Sequence, residues 1–310
     1  MYRRWPLLAG ILIFLGVFLS APSWAGQVVT KEMKVWAKKA IEEEKALKAP
    51  PAKNTLAVLY FKNKTEQSDL DPLQKGIALM LITDLSKIKS LQVVERVQLQ
   101  ALVEELGLGV SGLVEPDTAP RVGKILGSKW LAGGEILAGK ALQEMKKLRL
   151  ESNLLDVPAQ KILGQPAAEA DPAELFRLEK ELLFGLVKLL QVQVTSREEE
   201  ELKRPCSTSF RALLTLFRAI EASDRGNYAR AGELYESALR EDASLCLAGE
   251  ALQELRVLGL ISGKKKSADM LRSLRDQTSL TDQLTPEDAD KRVKTPKEVP
   301  NPAKIGVVFP

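Results

Sequence analysis

There is no histidine anywhere in the 310 residues. That absence removes the Ser-His-Asp and Cys-His arrangements of nucleophilic catalysis and every histidine-ligated metal site. Cysteines number only two, Cys206 and Cys246, so no thiolate cluster at metal-ligand spacing exists either. No Walker motif occurs, and Gly107, Gly109 and Gly112 do not match the dinucleotide fingerprint, because they follow a helical pattern where that fingerprint follows a strand. The formal charge is only +4, too small to argue for nucleic acid or an anionic membrane surface as a partner. The longest apolar run, residues 7–19, has 13 residues, short of the ~20 that a transmembrane helix needs.

That short run has its own meaning. Arg3 and Arg4 precede it, Pro22 follows it, and Ser23-Trp24-Ala25 places small residues at the two positions that a signal peptidase reads. Residues 1–25 are therefore expected to be a signal peptide cleaved before Gly26, the alternative being an uncleaved anchor. No cysteine lies near the junction, so a lipoprotein anchor is not expected. Residues 26–53 are expected to be a helical arm and linker: Met33, Trp36, Ala37, Ala40 and Ile41 share one face before Pro50 and Pro51 break the helix. Trp36 either docks the arm on its own domain or offers a partner-binding anchor.

Residues 54–192 read as an α/β domain. Residues 55–61 form a nearly continuous apolar strand of the kind covered on both faces. Asp71-Pro72 with Gln74 opens a helix whose buried face is Leu73, Ile77, Met80, Leu81, Leu85 and Ile88. Residues 91–95 give a second strand, and residues 97–106 a helix ended by Gly107. Asp117 or Thr118 then caps a short helix carrying Val122, Ile125 and Leu126, and Gly127 stops it. The run from Trp130 to Leu137 follows as a central strand. Leu148, Leu150 and Ser152 alternate with Arg149, Glu151 and Asn153, a strand with one exposed face. A turn at Asp156 leads to Ile162 and Leu163, and Asp171-Pro172 with Glu174 caps a helix striped by Leu175, Leu178, Leu182, Leu186 and Leu189. The fold class expected is α/β, a Rossmann-like, TolB-N-like mixed-sheet domain, followed by a small all-α helical domain.

The segment from Gly112 to Gly134 carries a resemblance. Gly112-Leu113-Val114, Thr118-Ala119, Gly123-Lys124, Leu126-Gly127, Leu131 and Gly134 resemble the motif of the curli assembly/transport (CsgG-like) family. That family's periplasmic domain is also similar to the TolB amino-terminal domain and to lipoproteins that activate penicillin-binding proteins. The resemblance extends over about residues 55–190 and implies a cell-envelope protein of Gram-negative bacteria with a non-enzymatic assembly role.

A polar linker is expected over residues 193–206, with the acidic run 198–201 as a solvated face. Residues 207–260 then resemble a tetratricopeptide repeat through Asp224, Gly226, Tyr228, Ala231, Tyr235 and Ala238. In such a repeat Ala219, Ala231 and Ala238 are the small residues at the helix crossing, and Tyr235 fills the bulky position. Thr215 and Arg218 depart from the pattern, as does Ala243. Cys206 and Cys246 sit further apart than the ~34-residue repeat period. A disulfide between them needs Cys206 on a bent entry segment, and two thiols remain the alternative. Residues 261–310, rich in Lys, Asp, Ser and Pro, are expected to be mostly disordered, ending in the apolar tag 305–309.

No catalytic, cofactor or metal site is expected. A crevice near Asn63 and Gly133, beyond the strand ends, is the one candidate ligand position. The favoured function is an envelope scaffold or assembly factor whose partners are envelope proteins, with self-association, in the periplasm or peripheral to the outer membrane. Arg225, Tyr228 and Arg230, with Trp36 in reserve, are the candidate partner-binding residues. A curli-type secretion-channel subunit is the alternative, set back by the shortness and the exposed charges of the candidate hairpin 147–163. A hydrolase using Ser or carboxylates comes third.

Overall fold

The computed structural model describes residues 27–46, 53–108, 118–138 and 147–262. The expected signal peptide, Asp117, the loop containing Leu142, and the tail beyond Ser262 lie outside them. The chain forms α1 (Lys31–Glu42), β1 (Thr55–Val58), β2 (Lys62–Asn63), α2 (Leu73–Leu85), β3 (Gln92–Val93), α3 (Arg96–Glu105), α4 (Thr118–Ile125), β4 (Trp130–Ala138), β5 (Leu148–Asp156), β6 (Lys161–Gly164), β7 (Ala167–Ala170), α5 (Leu175–Leu190), α6 (Ser196–Lys203), α7 (Phe210–Asp224), α8 (Tyr228–Glu241) and α9 (Cys246–Val257).

The sheet is mixed, as expected, in the order β3-β1-β4-β5-β6. β1 runs parallel to β3 and β4, and β4 pairs antiparallel with β5 along its whole length, from Trp130 opposite Asp156 to Ala138 opposite Leu148. Two strands are interrupted. β1 and β2 divide one edge of β4 between them, and β6 and β7 divide the far edge of β5. Neither β2 nor β7 is expected from the sequence. β2 is two residues in what reads as a loop, and β7 is an alanine-rich stretch after Pro166. Each is held by a longer neighbour and not by its own propensity.

The two faces of the sheet differ. Leu148, Leu150, Ser152 and Leu154 of β5 point to the buried side, where α5 packs. Leu131, Leu155 and Ile162 share the other face, which α4 covers only in part. There Leu59, Leu131, Gly133, Leu155 and Ile162 line an apolar groove of about 380 Å³ beside Ala119 and Pro120.

The caps work unequally. Asp171 accepts from the Ala173 N–H as expected, and Thr195 with Glu198 forms a capping box on α6. Asp71 does not cap α2: its carboxylate accepts the Asn63 side-chain amide at 2.7 Å. Asn63 also accepts from the Thr65 N–H and hydroxyl, and its own N–H donates to the Gln74 side chain at 3.3 Å, so these bonds hold the corner at the strand end.

The described residues through Ile261 fall in one compact unit. The core runs without a break from Leu56 on β1 to Leu255 on α9. The reading of residues 193–206 as a linker is corrected by α6, and the solvated acidic face is corrected at Glu198. That carboxylate is buried and accepts from the Lys89 and Thr195 backbone N–H groups. These bonds, with the Thr195 hydroxyl, hold its pKa at about 2. Between α2 and α7 the contact is close: a Cβ built on Gly76 would lie 2.2 Å from the Phe217 ring. Only glycine lets the ring lie on that backbone.

Candidate partner-binding surface and the seam beneath it

α7 and α8 form a helical hairpin. Ser209 accepts from the Ala212 N–H at the start of α7, and Asn227 accepts from the Arg230 N–H at the start of α8. Gly226, at φ 75°, makes the left-handed turn between them. Ala219, Ala231, Tyr235 and Ala238 are all fully buried where the two helices pack.

Arg225, Tyr228 and Arg230 share the corner of this hairpin. Arg225 is 77% exposed and faces Glu221 at 3.9 Å. Arg230 is exposed and meets Glu233 at 2.9 Å. Tyr228 is half-buried against the core. Trp36 is not part of this corner. It is half-buried on α1, which packs on α3 and is pinned by Lys34 to Glu104 at 3.0 Å. Cys206 is half-buried before α7, and the side chain of Cys246 lies outside the described residues.

Beneath the corner is a charged seam that the sequence does not announce. Arg96, at the start of α3, is 2% exposed. Its guanidinium donates to both carboxylate oxygens of Asp224, the last residue of α7, at 3.1 Å. Lys75 of α2 reaches the same carboxylate at 2.6 Å. The remaining Arg96 donors go to the Gln27 side chain at 3.0 Å and to the Gln27 carbonyl. Glu254 of α9 accepts from the Gln27 N–H at 2.7 Å and the Val28 N–H at 3.3 Å. Burial raises the pKa of Glu254 against these two N–H groups. Tyr60, two positions beyond β1, donates to Gln100 at 2.8 Å, and burial pushes its phenol up. One ionic knot thus ties the sheet, α2, α3, the hairpin and the first described residues together. The guanidinium suits this place because its nitrogens point to different partners at once: Nη1 is shared between the two Asp224 oxygens, while Nε and Nη2 reach Gln27, which the compact ammonium of a lysine would not do.

A second buried cluster joins α2 to α5. Asp84 pairs with Lys87 at 2.5 Å and with Lys180. Lys180 lies 3.5 Å from a Glu179 oxygen. Glu179 is fully buried, and neither of its oxygens has a hydrogen-bond partner. Burial first, and the Asp84 charge second, push its carboxyl up to about 8, against the pull of Lys180. Among the described residues no three Cys, Asp or Glu side chains converge as a metal site, and no helix is long and apolar enough to cross a membrane.

Residues 37–140 match the family model of the curli production assembly/transport component CsgG. The CsgG match begins in α1, earlier than the motif resemblance, and ends at the close of β4. It covers the parallel half of the sheet and leaves α5 to α9 outside. The LpoB C-terminal domain from Salmonella enterica aligns at 17% identity and a TM-score of 0.32, over 45% of this chain and 95% of that domain. TolB from Acinetobacter baumannii aligns at 12% identity and a TM-score of 0.30, over 46% of this chain and 29% of that protein. A Rhizobium meliloti (strain 1021) protein described as adenylate cyclase 3 is 25% identical over 150 residues, 48% of this chain. The chain spans 23% of that relative's length.

Proposed function

We propose that this chain is a non-enzymatic assembly or scaffold factor of the cell envelope, acting through protein–protein contact in the periplasm or at the inner side of the outer membrane. The observation that carries the reading is the CsgG match over residues 37–140, which falls on the sheet that the rest of the fold is built around. The hairpin corner supplies the working surface. Its two exposed arginines stand on a base made rigid by the Arg96–Asp224 pair, and arginine is favoured at interface centres. The tetratricopeptide resemblance of the same hairpin fits a protein-binding task. One hairpin offers little area against the ~1,200–2,000 Å² of a specific interface, so the α/β body or a second copy completes the surface.

The test is capture of envelope proteins by crosslinking from a periplasmic fraction, with Arg225→Glu and Arg230→Glu combined. Both side chains are exposed, and among the described residues their ion pairs are with Glu221 and Glu233, four and three positions away. The double variant is expected to lose capture while circular dichroism and melting stay unchanged. Undiminished capture at the same salt concentration would move the surface to the α1 face that carries Trp36.

A further inference from the structure

Where α5 ends against the sheet there is a cleft of about 840 Å³, the size of a small-molecule pocket. Its floor is the start of β4. Trp130 stands there opposite Asp156 of β5 in the strand register, on the side where α5 packs. Its rim is the last turn of α5 and the chain after it, from Lys188 to Gln193. The charged groups on its walls are Lys129, just before β4, Asp156 from β5 and Lys188 from α5. Asp156 is engaged, since it accepts the Ala159 N–H at 2.9 Å. The lysines are not: among the described residues neither ammonium has a carboxylate within ion-pair distance. Lys129 is laid over the Trp130 ring at 4.2 Å, which holds the cation against the wall. Lys188 is exposed in the last turn of α5. The Trp130 indole N–H has no acceptor among the described residues either, and it keeps contact with solvent although the residue is only 5% exposed. Donors without acceptors thus share one cleft, and a charged acceptor satisfies such donors best.

We propose that this cleft binds a phosphorylated monosaccharide, its phosphate on Lys129, Lys188 and the Trp130 N–H and its sugar ring against Leu163 and Leu189. Lysine ammoniums act on phosphate as point charges, and the pair matches the near-double charge of a phosphate monoester. The sugar follows from the rest of the wall. Asp156 and the negative end of α5 oppose an anion that has nothing else to offer. Hydroxyl groups give both of them a donor, because the last carbonyls of an α-helix have no partner inside it. The Gln191 and Gln193 carboxamides on the rim can donate to a hydroxyl or accept from it. The volume points the same way, since phosphate alone would leave most of the cleft to water. None of the hairpin residues takes part, so the site does not depend on the function proposed for them.

The experiment is calorimetric titration of the whole protein with glucose 6-phosphate in a phosphate-free buffer. Saturable binding is expected. Glucose and inorganic phosphate, each half of the ligand, should bind at least about tenfold more weakly. Affinity should rise about tenfold from pH 5 to pH 7 and level off above it, as the second phosphate proton, of pKa ~6, is lost. Lys188→Glu should abolish binding, and Lys188→Arg, which keeps the charge, should retain it. Lys188 is exposed, so both variants should fold, and circular dichroism verifies it. Lys38→Glu, equally exposed but on α1, makes the same change in net charge and should bind as the parent does. Absence of saturation by about 10 mM sugar phosphate, or binding by folded Lys188→Glu as tight as the parent's, would overturn the site. An equal loss in Lys38→Glu would do the same, reducing the effect to overall charge. Inorganic phosphate bound as tightly as the sugar phosphate would overturn the assignment to a saccharide.

Discussion

The two buried ionic clusters solve the same problem in opposite ways. Around Arg96 every charge meets a counter-charge or a backbone group: Asp224 holds Arg96 and Lys75, and Glu254 holds two N–H groups. Around Asp84 the balance stops one residue short, and Glu179 has a lysine at 3.5 Å but no hydrogen bond. A saturated cluster is a joint. Its charged members are bound to one another. An unsaturated cluster keeps one loosely held group, at a cost in stability, and such a group is where a proton is taken up. The joint links distant parts of the chain, whereas the unsaturated cluster lines a cavity.

The sharpest way to break this comparison is Asp224→Asn. It leaves Arg96 buried without a counter-charge, and losing one partner of a buried pair costs about 3–5 kcal/mol. A large fall in melting temperature is expected. Leu131→Ala, in the central strand and 2% exposed, is the apolar yardstick at about 2–5 kcal/mol. If Asp224→Asn were the milder of the two, the seam would not be the joint described. Glu179→Gln should have the smallest effect and the opposite sign. The folded-state pKa of Glu179 is raised, from 4.5 to about 8. Its contribution is therefore fully present below about pH 4.5, and is lost as pH climbs through about 8. The glutamine variant removes that titration. Its melting temperature should equal the parent's near pH 5 and exceed it by a few degrees near pH 8. A parent whose stability does not decline across that window would show that Glu179 is not held protonated.

The apolar part of this architecture was legible because it is local. The run at 55–61, the leucine stripe of α5 and the alanines of the hairpin repeat at the period of their own element, and burial follows the period. The seam was not legible, because its pairs are 128 and 149 positions apart. Sequence gives the type of each charge and not its neighbour. Gln27 carried no signal at all, being one more residue ahead of a helical arm. Two hints were present. Glu179 stands among Leu175, Leu178, Leu182 and Leu183, on the buried stripe of α5, and Asp224 continues the stripe of Leu213, Phe217 and Ile220 at helical spacing. An acid inside an apolar stripe has to find a partner or change its charge. Of the candidate binding residues, Arg225, Tyr228 and Arg230 met at one corner because a single turn joins their helices. Trp36 did not join them, since its helix belongs with α3.

The pairing of Gln27 with Glu254 sets a clock. The two residues are 227 positions apart, and a ribosome moving at about 5–20 residues per second needs roughly 10–45 s to cover such a distance. Within that interval the sheet can assemble from the strands already made, yet Arg96 waits for Asp224 until α7 is complete and for a fixed Gln27 until Glu254 follows. The knot closes last, when α9 arrives. A chain that emerges from its amino end therefore carries an open, positively charged notch beside its sheet for the 128 positions between Arg96 and Asp224.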